Sequence, residues 1–252
     1  MTMILHIVLG LLLLLIPAGA LYVFDKSLLR SLCVAVARMV VQVLALCLMV
    51  WVLLKYDAVW LSLLWLVLLT VASGALVLRR IKLPLAKFLL PVSAGLLVGA
   101  LLVGGYLLWA CLPAKDAFGA RWLVPVMALL VGHTMTALIR GLSTYQSALK
   151  ADEQQYEFLR GNGVNHLHAV MPFVRRALQQ VLAPTAANLS AMGLYAMPLL
   201  LCGILIAGVS PINAFVVTLQ LVFGCLAASV VALAITLWLA DRQLFDKYGK
   251  LQ

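Results

Sequence analysis

The side chains that could do chemistry in this sequence are few, and most stand alone. His133 and Met135, in Gly132-His133-Thr134-Met135, put an imidazole and a thioether two residues apart in a long apolar run. Such groups bind softer metal ions, and Met192 and Met197 add two further thioethers. The alternative for His133 is a hydrogen-bonded core histidine. Arg38 and Gln42 stand one turn apart in another apolar run. They read either as a snorkelling arginine beside a hydrogen-bonded glutamine or as a polar face shared with another helix. His166 and His168 are two apart, a spacing that does not place both on one helix face, so they make no metal pair. The five cysteines (Cys33, Cys47, Cys111, Cys202 and Cys225) lie in apolar runs without a CxxC pair and read as buried thiols. No metal site is assigned.

The carboxylates set a second limit. Asp25, Asp57, Asp116, Asp152, Glu153, Glu157, Asp241 and Asp246 all fall at the ends of apolar runs or between them. A proton-driven carrier usually needs an acid inside the membrane to bind and release its coupling ion. The chain also lacks the phosphate-binding GxxxxGK[ST] loop. Energy for uphill transport would have to come from another chain. No cluster of Asp, Glu, His or Cys suggests that this chain is itself an enzyme, and no cofactor is expected on it.

Seven apolar runs must position these residues. Hydrophobic residues make up 65% of the 252 and charged ones 10%, against about 25% charged in an average soluble domain. About 20 helical residues cross a hydrocarbon core. The expected spans are about Ile4 to Phe24, Leu32 to Leu54, Val59 to Leu78, Phe88 to Leu112, Trp122 onward, Ala186 to Gly208, and Ile212 to Ala240. The first has the apolar core of a signal peptide but no basic residue before it, and reads as a retained span. In the fourth, Gly95 and Gly99 have the small-residue spacing that lets helix backbones approach closely in lipid. The fold class is all-α: a polytopic membrane protein with seven transmembrane helices. Fifteen of the eighteen basic residues fall on one side of this arrangement if Arg38 is counted with the first loop. Positive loops face the cytoplasm, which puts the N-terminus outside and the C-terminus inside. The net charge of +10 is thus a matter of topology, and no nucleic-acid partner is implied.

One stretch breaks the apolar pattern. From about residue 143 to 184 the chain turns polar, on the side expected to be cytoplasmic. Asp152 to Leu159 has a helical pattern, Gly161-Asn162-Gly163 interrupts it, and Val164 to Val181 resumes an amphipathic helix with Arg175 and Arg176. Pro184-Thr185 is expected to start the sixth span. Tyr156, Phe158, Met171 and Phe173 mixed with charges favour a partner surface over a merely solvated loop.

In order and spacing, the residues resemble the FetB-like permease subunits of ABC transporters, a family that includes iron exporters and plant aluminium-tolerance half-transporters. The resemblance covers most of the chain. It rests on Arg38-x-x-x-Gln42, on Pro125 with Gly132-x-x-Met135, on Leu159 to Gly163, and on Pro184-Thr185. The clearest block is Met197-Pro198 followed by Gly203, Ala207-Gly208 and Ser210-Pro211-x-x-Ala214. Departures fall at Leu199, Leu200 and Leu201, where the family has glycine and two methionines, and at Val217-Thr218, where it has tyrosine and glutamine. His133 replaces an asparagine, and Arg160 to Gly163 replaces a leucine-glycine-alanine-threonine turn.

The resemblance implies a single permease domain over residues 1–252 in the inner (plasma) membrane. It would export iron or another metal ion as a permease dimer with two copies of a separate ATP-binding cassette ATPase, which binds the ATP. It places the substrate pathway at Arg38, Gln42, His133, Met135, Met197 and Pro198. Coupling to the ATPase falls on Arg160, Gly161, Asn162, Gly163, Val164, His166 and Arg175. Leu199 to Leu201 would suit a hydrophobic or amphiphilic solute as well as a metal. A membrane scaffold that moves nothing is the reading from another class.

Overall fold

A computed structural model describes residues 12, 14–24, 26–56, 58–111, 119–195 and 197–244. Every regular element among them is a helix. The chain divides into two compact units, residues 1–56 and 57–252.

The first unit holds α1 (Leu15–Phe24) and α2 (Lys26–Tyr56). The amphipathic connection expected between two spans is instead the first part of α2. Nothing between Lys26 and Leu32 breaks a helix: there is no proline and no glycine, and the run is rich in residues that lose little side-chain freedom in one. Near the other end, the Lys55 ammonium lies 5.2 Å from the Trp51 ring centre, one turn away.

In the second unit come α3 (Val59–Ile81), α4 (Leu85–Tyr106), a π-helical turn (Leu107–Cys111) and α5 (Ala120–Ala151). They are followed by α6 (Glu153–Gly161), α7 (His166–Tyr195), α8 (Met197–Ile206) and α9 (Pro211–Leu244). Five helical segments among the described residues are long and apolar enough to cross a membrane: Leu29–Tyr56, Val59–Ile81, Leu85–Cys111, Ala120–Ala151 and Pro211–Gln243. Residues 4–11 and 13 of the first expected span lie outside the described residues. The sixth is divided between the end of α7 and α8, with residue 196 outside the description.

The tightest helix pairing is α4 against α9, and glycine makes it possible. A methyl group on Gly95 would collide with Thr236 Oγ1, and one on Gly99 would lie 2.9 Å from the Ala232 side chain. The close approach expected from the Gly95 and Gly99 spacing is present. Around it, Leu96 of α4, Leu138 and Leu142 of α5, Phe173 of α7 and Leu233 of α9 are fully buried in one core.

Pro184 does not begin a new helix. It lies inside α7, as does Pro172, so the polar amphipathic segment and the start of the expected sixth span are one continuous rod. A helix-interior proline removes a backbone donor, a loss that membrane helices tolerate where hydroxyl side chains or neighbours compensate. The carbonyl that Pro184 leaves without its helical donor is that of Gln180; the Thr185 hydroxyl donates to the next one, Val181 O, at 2.6 Å. The cysteines also differ from expectation. Cys225 is buried, whereas Cys33, Cys47 and Cys202 are exposed on apolar helices, as residues facing lipid can be.

Candidate functional site

Four helices meet at one carboxylate. Asp241 lies in the last two turns of α9, and its Oδ1 accepts a 2.9 Å hydrogen bond from the Tyr145 hydroxyl of α5. Its other oxygen lies 2.6 Å from Nε2 of His166, the first residue of α7. The far ring nitrogen, His166 Nδ1, is 2.9 Å from the Tyr156 hydroxyl of α6. The Tyr156 and His166 rings stand edge to face, 87° apart with centroids at 6.0 Å. Tyr145 and Tyr156 are buried. In neutral His166, Nε2–H donates to the carboxylate and Nδ1 accepts from Tyr156. Charge-assisted hydrogen bonds of this kind are the stronger ones. Burial raises the Tyr156 phenol above its ordinary pKa and nearby Asp241 adds to the rise, while Arg160 opposes it. Tyr156 therefore stays a protonated donor across physiological pH.

The turn beside this cluster is a glycine-ended helix stop. Val164 N–H donates to Leu159 O and Gly163 N–H to Arg160 O, both at 3.1 Å. This is the paired closure of a Schellman motif. It requires a left-handed residue, and Gly163 has φ +79°. Leu159 and Val164, which flank the turn, both pack on the core. Arg160 Nη1 donates to Val164 O across the same turn. α7 then runs with Ala169, Phe173, Ala177 and Val181 buried, every fourth residue. Its opposite face lines an open groove of about 580 Å³ with His168, Met171, Arg175 and Gln179. Arg176 pairs with Asp152, tying α7 to the start of α6. Phe158, Leu167 and Met171 are exposed around the turn.

Deeper along α5, His133 Nδ1 lies 3.2 Å from the Ser229 hydroxyl of α9. Ser229 gives its one proton to Cys225 O at 2.7 Å, so it accepts from His133, and Nε2 is the ring's acceptor. Met135 faces the other way, packed against the core, because two residues turn a helix by about 200°. Among the described residues no three of His, Cys, Asp or Glu come together to hold a metal ion.

The uncharacterised protein family UPF0014 matches the chain over residues 4–245. The chain belongs to this family. A UPF0014 member of rice (Oryza sativa subsp. japonica), STAR2, is 26% identical over 73% of this chain and 62% of its own length. The Escherichia coli (strain K12) protein named "Probable iron export permease protein FetB" is 20% identical over 64% of this chain and 58% of its own. The Arabidopsis thaliana protein ALUMINUM SENSITIVE 3 is 24% identical over 54% and 50%. The chain thus spans about half to three-fifths of the length of these curated relatives. No solved structure matches it. Family membership and the apolar helices together make this a multi-pass membrane protein.

Of the residues expected to matter in this UPF0014 chain, the coupling set is brought together. Arg160, Gly161, Asn162, Gly163 and Val164 form the glycine turn, His166 opens α7, and Arg175 lies two turns further on the exposed face. The pathway set falls in both units. Arg38 and Gln42 are exposed, one turn apart on α2. His133 and Met135 lie on different sides of α5. Met197 and Pro198 open α8, but their side chains, like that of Met192, lie outside the described ones. Sequence reasoning missed Tyr145, Tyr156 and Asp241 as a group. The available signal was faint: a tyrosine and an acid near the ends of two long apolar helices, 96 residues apart.

Proposed function

We propose that this chain is the permease subunit of an ABC exporter, working as two copies with two copies of a separate ATP-binding cassette ATPase. The observation that carries the reading is the helix–glycine turn–helix of α6 and α7. It is a polar surface with exposed Phe158, Leu167 and Met171, joined through Asp241 to the apolar helices α5 and α9. A partner that changes shape on ATP hydrolysis needs a rigid handle connected to the spans, because coupling requires an element with two discrete arrangements that both sites bias. The name of FetB supports an export permease, and the name of ALUMINUM SENSITIVE 3 keeps metals in view. In this reading the chain has seven spans with the N-terminus outside and lies in the inner (plasma) membrane. This chain does no chemistry itself; ATP is bound and hydrolysed on the partner.

The cargo has two readings, each with its own support. The relatives' names and His133, whose Nε2 is an acceptor, favour a metal ion. Leu199, Leu200 and Leu201, where the family pattern has methionine, favour a hydrophobic or amphiphilic solute.

The test is a four-residue insertion after Gly163. It is expected to abolish co-purification of a co-expressed ATP-binding cassette ATPase from the same organism while the permease still accumulates in the membrane. Retention of the ATPase would move the contact elsewhere. An unmodified chain that captures no ATPase would favour the scaffold reading. ATP hydrolysis by the captured complex, with iron salts and with amphiphilic solutes, separates the two cargoes.

A further inference from the structure

We infer that Asp241 is a positioning residue: it fixes the orientation of the α6–α7 turn against α5 and α9, so that the docking surface is presented in one pose. The inference rests on the docking reading above for its purpose, and on geometry alone for its mechanism.

The geometry has three parts. Asp241 uses both oxygens on different helices, Oδ1 on Tyr145 and Oδ2 on His166. His166 uses both ring nitrogens, one on α9 and one on Tyr156 of α6. Its position as the first residue of α7 places the contact where helix and turn join. The positive end of the α7 dipole is there, which favours a nearby carboxylate. Elsewhere the turn is held weakly: Arg176–Asp152 is an exposed pair, and exposed pairs contribute little. Apolar contacts from Leu159 and Val164 fix depth but are non-directional. The four-residue chain Tyr145–Asp241–His166–Tyr156 is the directional element.

The arrangement also explains an acid so close to a lipid-crossing helix. An uncompensated carboxylate there would be costly, and replacing it by a hydrocarbon would leave the Tyr145 hydroxyl and His166 Nε2–H without their acceptor. A half-buried pair of this kind is best understood as a device for specifying one arrangement.

The test uses the full chain in lipid nanodiscs, with and without the co-expressed ATP-binding cassette ATPase. Asp241→Ala and His166→Ala are each expected to speed amide hydrogen exchange at residues 162–169 by about tenfold, the scale of one charge-assisted hydrogen bond. Exchange in the middle of α5 and α9 should be unchanged. His166→Gln, whose amide N–H can still donate to the carboxylate, is expected to restore protection, which a merely space-filling role would not predict. The double variant Asp241→Ala/His166→Ala should lose less than the sum of the two single ones, because the Asp241–His166 contact is removed in both. With the ATPase present, capture should fall in parallel with protection and recover in His166→Gln. Unchanged exchange in both single variants, or no recovery in His166→Gln, would overturn the positioning role. Altered exchange with full ATPase capture would overturn its link to docking. Failure of the unmodified chain to capture the ATPase would count against the docking reading, and the exchange measurements would still decide the role of Asp241. If Asp241→Ala does not accumulate, His166→Ala carries the same test from the turn's side of the contact.

Discussion

At the residue scale, the Tyr145 hydroxyl is the cleanest probe of the cluster at Asp241. It is fully buried and its bond to Asp241 is 2.9 Å. Tyr145→Phe removes only the oxygen and leaves a half-buried carboxylate with one partner fewer. The expected loss is about 2 kcal/mol, the usual range for a hydrogen bond to a charged group. Thermal unfolding of the detergent-solubilised chain would show it, and an unchanged midpoint would mean that the contact contributes nothing. Tyr156 gives a pH test. Its phenol titrates above the ordinary value, chiefly because burial disfavours the phenolate. The folded state therefore holds this proton more tightly than the unfolded one. The stabilisation is complete below the unfolded pKa of about 10 and disappears as pH rises through the higher folded value. Stability should fall from about pH 10 upward, until the folded value is passed, and Tyr156→Phe should fall less steeply over the same window. Equal slopes in the two proteins would exclude Tyr156 as a source of the alkaline loss.

At the element scale, the α4–α9 pairing depends on missing side chains. Gly95→Ala and Gly99→Ala each place a methyl group where Thr236, Ala232 and Ala228 already are. Overpacking of this kind costs about 1–3 kcal/mol. Gly105, with nothing within 4 Å, is the control, and its alanine variant should lose no stability. The same thermal assay reads all three, and a loss at Gly105 as large as at Gly95 would refute the packing explanation. This close approach was legible in the sequence because small-residue spacing along one helix is a local signal. The glycine stop after α6 was legible for the same reason, since left-handed backbone is a local demand. The cluster at Asp241 was not. Its members come from four helices, and no periodicity links Tyr145 to a residue 96 positions later. Pro184 misled for a physical reason as well: a proline inside a helix removes one backbone donor without forbidding the helix, and the turn before it is held by Ala177 and Val181 packed in the core.

At the scale of the whole molecule, the charge imbalance makes a topological prediction. Gln155 on α6 is exposed, and fifteen of the eighteen basic residues share its expected side. In a background without the native cysteines, a cysteine at Gln155 should react with an impermeant reagent only after the cytoplasmic side is opened. A cysteine at Asp116, which lies outside the described residues, should react in intact cells. Labelling of both from the same side would remove the seven-span arrangement. What the sequence made plain at this scale was membrane residence, because apolar length is additive along a chain. Which pathway residues share a face was harder to read. His133 and Met135 are neighbours in sequence and opposed in space.

The unbroken course of α7 has a mechanical consequence. Thirty helical residues make a rod of about 45 Å, with the glycine turn at one end and the approach to α8 at the other. A tilt of roughly 5° pivoting at His166 would displace the far end by about 4 Å over that length. In the proposed coupling, such a rod is a lever arm. A small rotation at the glycine-turn end would then arrive as a much larger displacement at the far end, and Pro172 and Pro184, each lacking one backbone donor, are where such a lever would bend.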